Sequence, residues 1–136
     1  MFSTSYLCNA QKDSTDITGT WVELISKDKN RFMFAADGYV VSVIAGDTVG
    51  GSPARNPRTR IYLRYEVGKN KIHGFYIIDL IKGRQPSDKE IEMSRLKGIF
   101  IYLNDGRMKL CVNSNPAEPR PAEFVRENTF ILTKQE

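Results

Sequence analysis

The residues able to do chemistry are few and dispersed. His73 is the only histidine, and Cys8 and Cys111 are the only cysteines. A cysteine nucleophile needs a base within hydrogen-bonding reach and a third group to orient that base. Cys111 and His73 could supply the first two members, and nothing in the sequence supplies the third. A metal site needs His, Cys or carboxylate ligands converging at regular spacing. The carboxylates here are scattered, so neither metal nor cofactor is expected. Gly50-Gly51 is not followed by the Gly-Lys-Ser/Thr of a phosphate loop. With no catalytic set in view, the chain reads as a non-enzyme. Two cysteines are too few for a disulfide scaffold. They read as reduced thiols, Cys8 in a polar tail and Cys111 in a strand.

A second kind of chemistry is offered by arginines. Residues 53–72 carry six basic side chains and one acidic one, a net +5, while the rest of the chain nets −1. Arg58, Arg60 and Arg64 fall on alternate positions with Tyr62 among them. Guanidinium groups beside an aromatic ring can follow a phosphate backbone. The solvent face of a strand must be polar in any case, and nucleic-acid binders usually show a broader basic patch. The row is therefore expected to be a solvated face pairing with acidic neighbours such as Asp79, with no nucleic-acid partner.

The elements that must position these groups are mostly strands. At 136 residues the chain suits one domain, with a tail or flap over 1–16 and the domain over 17–136. No apolar run approaches the ~18 residues of a membrane-spanning helix. The first residues lack a basic n-region and an apolar core, and Leu7 is not the small residue a lipoprotein site places before its cysteine. The expectation is a cytoplasmic protein if the chain is full length, and an exported one if a signal has been removed.

Strand-like runs are predicted over 18–26, 31–36, 39–45, 58–67, 71–81, 96–103, 107–113 and 129–135, separated by turn residues. Asp37-Gly38 and Asn104-Asp105-Gly106 are hairpin turns. Residues 46–57 read as a long loop. Ser87 and Glu90 have capping-box spacing, which predicts one helical turn, and 114–128 is a Pro-rich crossover. The fold class is thus all-β. An antiparallel up-and-down barrel of about eight strands removes the sheet's edges, and a sandwich is the alternative.

Several segments carry a resemblance. Gly19-Thr20-Trp21, then 105–112, then Pro119-Arg120-Pro121-Ala122-Glu123-Phe124, then a closing strand ending near Lys134 occur in that order. The series resembles a planctomycete-type lipocalin-like family of small bacterial proteins with no assigned activity. The resemblance implies a barrel in which Trp21 closes the base with Lys134 over its indole, a cation–π contact worth about 0.5–2 kcal/mol. It also implies structural roles for Gly19, Pro119, Arg120, Pro121 and Phe124, and it brings no reaction. The 46–57 loop, the 83–95 segment and Met108, where leucine is usual, depart from the family pattern. Pro116 and Pro119 have the spacing of an SH3 ligand, but the resemblance favours a structural crossover.

Two functional expectations follow. Phe32, Phe34, Tyr65 and Phe100 could line a cavity, making a non-catalytic binding module for a small apolar or amphipathic ligand in the barrel's open end. Alternatively the same rings fill the barrel, and the protein is an interaction or structural module. Residues 96–103 are apolar on both faces, with Ile99, Ile101 and Leu103 alternating with Phe100 and Tyr102. Their outer face must be covered by the tail or crossover, or serve as a contact surface for a protein partner or a second copy.

Overall fold

The structure is a computed structural model that describes residues 15–135. Cys8 and most of the expected tail lie outside the described residues. Nine strands follow in chain order: β1 (Gly19–Val22), β2 (Arg31–Phe34), β3 (Val40–Ile44), β4 (Asp47–Gly50), β5 (Ile61–Val67), β6 (Tyr76–Arg84), β7 (Ile91–Tyr102), β8 (Met108–Val112) and β9 (Thr129–Lys134). They form one antiparallel sheet in the order β4-β3-β2-β1-β9-β8-β7-β6-β5. The connectivity is up-and-down, and the sheet curls into a nearly closed barrel.

The count of nine has a geometric explanation. An antiparallel barrel closes only with an even number of strands, because each neighbour reverses direction. The odd strand is β4, which pairs with β3 alone. The seam is closed by antiparallel bridges from Tyr39 to Arg64 and from Gly51 to Leu63. Tyr65 N donates to Gly38 O at 3.0 Å, and Leu63 N to Gly51 O at 3.0 Å. Eight strands thus make the wall, with β4 laid as a splint along β3. At Gly50 φ is +106°, and a Cβ there would collide with the Val40 carbonyl oxygen, so a side chain is excluded on both counts. The Asn56 side chain fills the gap above, donating to Ile61 O at 2.8 Å and Gly50 O at 3.3 Å.

Alternation sets the interior. The pairs Trp21↔Phe32, Gly19↔Phe34, Phe100↔Leu110 and Met108↔Leu132 face inward, and all of these side chains but glycine's are buried. Phe34, Phe100, Met108, Leu110 and Leu132 are each under 2% exposed. They join Val40, Leu63, Ile78 and Leu80 in one core.

Five expectations are corrected. The 46–57 segment is not a continuous loop. Ala45 and Gly46 both have positive φ, making the two-residue primed turn that starts a hairpin. This turn feeds β4, and a short 3-10 turn follows at Pro53–Arg55. Second, the arginine row does not exist. β5 begins at Ile61, and Arg60, at φ +59°, breaks the alternation before it. Third, Tyr62 points outward as expected yet is 2% exposed. Its ring lies over Gly83, where a Cβ would collide with the phenol, and packs edge-on to Tyr39. Fourth, His73 is not in a strand. It sits at φ +55° in the exposed 68–75 connection. Fifth, no helical turn forms at 87–90. β7 starts at Ile91 and runs twelve residues, and Glu90 bonds to Tyr39 and Arg64 rather than capping a helix.

The two-sided strand is explained by the crossover. Phe100 and Tyr102 point inward, while Ile99 is 1% exposed on the outer face beside Cys111 at 0%. The chain from 113 to 125 lies over them as a strap. Asn113 Nδ2 donates to Pro119 O at 2.6 Å. Arg120 Nη1 donates to Ile78 O at 3.1 Å and Gly98 O at 2.9 Å. The Phe124 ring stands edge-on to Phe75 and beneath the Lys109 ammonium. Proline at 119 and 121 suits such a strap, because its fixed φ keeps the backbone extended.

Candidate functional site

The four expected ligand-binding residues share one interior. Phe32, Phe34 and Phe100 are buried, and Tyr65 is half-buried with its hydroxyl donating to Ala35 O at 2.8 Å. One ring series runs Phe130–Phe32–Phe34–Tyr65, with centroid separations of 5.2, 6.0 and 4.9 Å. A second joins Tyr76, Phe100, Tyr102 and Trp21. Burial, with a smaller contribution from Tyr76, pushes the Tyr102 phenol well above its ordinary pKa. These rings take one another as neighbours at the separations aromatic pairs favour.

At the base, Trp21 is 3% exposed and its indole N–H donates to Ile17 O at 2.9 Å. Lys134 Nζ lies 5.9 Å from the indole centroid. The Lys134 stem also runs where a side chain at Gly19 would go.

A concave surface lies on the outside of the wall. Thr20, Met33 and Val41 are cross-strand partners on β1, β2 and β3. They point away from the core, since their neighbours Trp21, Phe32, Phe34 and Val40 point in. Ser52 and Arg55, on the arm after β4, and Asp37 and Tyr39, from the β2–β3 hairpin, complete its lining. The resulting groove has a volume of about 440 Å³. Its floor is apolar and its rim is polar. Sequence reading missed it, although the signal was present. Met33 between Phe32 and Phe34, and Val41 beside Val40, make β2 and β3 apolar on both faces, as in 96–103.

One rim residue belongs to a clasp across the seam. Tyr39 Oη donates to Glu90 Oε2 at 2.6 Å, and Arg64 Nη1 donates to Glu90 Oε1 at 2.6 Å. Glu90 thus ties β5 and the residue before β3 to the β6–β7 connection. Its hydrogen bond, and then burial, push the Tyr39 phenol up to about 12. The Tyr39 hydroxyl above all, against the opposing effect of burial and with further help from Arg64, holds the Glu90 carboxyl below the ordinary range. The acidic partner expected for the basic strand is therefore Glu90. Asp79 instead takes Arg95 and Arg120, each at 2.8 Å. Arg60 donates through Nε to Gln85 O at 3.1 Å.

The clasp has a pH signature. A carboxyl with lowered folded pKa contributes stability at neutral pH that is lost as pH falls through that value. A phenol with raised pKa contributes stability that is lost as pH rises from 10 toward about 12. Glu90→Gln is expected to flatten both limbs of the stability–pH curve. Its cost at neutral pH is about 1 kcal/mol, reduced because the pair is partly solvated. The same variant should speed amide exchange of Leu63 and Tyr65, which close the seam. Unchanged exchange at those two amides would mean that Glu90 does not hold the seam shut.

Among the described residues, no three His, Cys, Asp or Glu side chains converge as a metal site, and no helix is long and apolar enough to cross a membrane. No protein-family model matches this chain, and neither does any curated protein or solved structure.

Proposed function

We propose that this protein is a non-catalytic binding module that holds a small amphipathic ligand in the outer groove across β1, β2 and β3. The observation that carries this reading is the groove itself. Its volume of about 440 Å³ falls within the ~300–1,000 Å³ of small-molecule pockets. Its apolar floor is ringed by a few polar groups, as in such pockets. The outer face at Ile99 and Cys111, by contrast, lies beneath the strap. The buried Trp21 beneath Lys134 supports a lipocalin-like ancestry for the barrel.

The test is a fluorescence titration with N-phenyl-1-naphthylamine, an uncharged amphipathic probe that brightens in apolar surroundings. Saturable binding is expected for the native protein. Met33→Asp charges the floor from an outward position, and Ala35→Trp fills the groove from an exposed one. Each should weaken binding at least tenfold while leaving the far-ultraviolet spectrum and melting transition intact. Absence of saturable binding, or equal binding by both folded variants, would overturn the reading.

A further inference from the structure

We infer that the groove selects amphipathic anions, with Arg55 as the head-group receptor; this rests on the groove being the ligand site. The charges at its rim are not equivalent. The Asp37 carboxylate is turned into its own hairpin, where Oδ1 accepts the Tyr39 amide at 3.2 Å. The Tyr39 hydroxyl is committed to Glu90. Arg55 is exposed, and among the described residues its guanidinium has neither an ion pair nor a hydrogen bond. The Ser52 hydroxyl beside it makes no capping bond to the 3-10 turn. The groove therefore offers one uncommitted cation, with the Ser52 hydroxyl beside it, above the apolar side chains of Met33 and Val41.

The backbone aims this cation. Gly50 and Gly51 have φ of +106° and +92°, which turns the chain out of β4 and sends the arm along the groove. The Arg55 stem packs directly across Gly51, where an added Cβ would collide with Cδ. A guanidinium fork binds carboxylate, sulfonate or phosphate through paired N–H donors. The chemical class is thus a small organic anion whose apolar body lies on Met33 and Val41 and whose head meets Arg55 and Ser52.

Two probes that share a skeleton separate this inference from the reading beneath it. 1-Anilinonaphthalene-8-sulfonate is N-phenyl-1-naphthylamine carrying a sulfonate. The sulfonate is expected to bind about tenfold more tightly, the increment of one charge-assisted contact. Arg55→Gln should bring the ratio of the two probes' affinities to about one. Moderate salt should weaken only the sulfonate. Equal affinity of the two probes for the native protein, or a sulfonate preference that survives Arg55→Gln, would overturn the anion selectivity while the groove stands. Failure of both probes to bind saturably would overturn the groove as well. Arg55 is exposed, so the variant is expected to melt like the native protein.

Discussion

Trp21→Ala is expected to remove about 3–5 kcal/mol of folding stability, the cost of truncating a large buried aromatic side chain. Domains of this kind have roughly 5–15 kcal/mol in total, so the variant should be near the edge of folding at 37 °C. Three losses act together. The indole leaves a void against Tyr102 and the core. The Ile17 carbonyl, on a residue 1% exposed, loses its donor, and a buried acceptor without a partner costs about 1–3 kcal/mol. Lys134 loses the ring surface beneath its ammonium. Urea unfolding followed by circular dichroism, since the variant has no tryptophan, should show a lower midpoint at unchanged slope. Trp21→Phe should recover roughly half of the loss, because it refills volume without restoring the N–H bond. A loss under about 1 kcal/mol would show that the base of the barrel does not depend on this residue.

Arg120→Ala is expected to release the strap. The guanidinium holds two carbonyls, on β6 and β7, and lies 2.8 Å from Asp79 Oδ1. That oxygen is buried, and its angle to Arg120 falls outside hydrogen-bond geometry. We read the contact as an ion pair stabilised by proximity of charge, because the distance is short and the side chain is 15% exposed. Removing one member of a buried pair costs about 3–5 kcal/mol. Arg95 remains on the other Asp79 oxygen and Arg120 is itself partly solvated, so the expected loss is about 2 kcal/mol.

The sharper readout is Cys111, fully buried beneath the strap with Sγ 4.0 Å from Glu123 O. In a Cys8→Ser background, reaction with a thiol reagent should be at least tenfold faster in Arg120→Ala, at denaturant concentrations where the protein stays folded. Arg120→Met combined with Asp79→Asn removes both charges and should restore part of the stability. A Cys111 labelling rate unchanged by Arg120→Ala would mean that the strap is held by Phe124 and Asn113 instead.

The amino-acid sequence by itself determined the strand class, most of the turns and the inward set of side chains. Period-two alternation of Leu63, Tyr65 and Val67 with Arg64 and Glu66, and of Met108 and Leu110 with Lys109, leaves one way to bury these residues. Asp37-Gly38 and Asp105-Gly106 place glycine where φ is positive. These signals are local, and so they are legible. The tertiary structure alone decided the seam, the clasp and the groove. The hairpin into β4 turns on Ala45-Gly46, which lacks the usual Asn or Asp before glycine. β4 itself exposes most of its side chains, so its place rests on backbone pairing that no side-chain pattern announces. Glu90 meets partners 51 and 26 residues away, and only barrel closure makes them neighbours. His73 and Arg60 adopt left-handed conformations that local preference opposes, because the connections around them are fixed by strands at either end. The groove needs one residue from each of three strands and an arm steered by two glycines. Each residue is unremarked in its own segment, and packing of the whole chain brings them to a common surface.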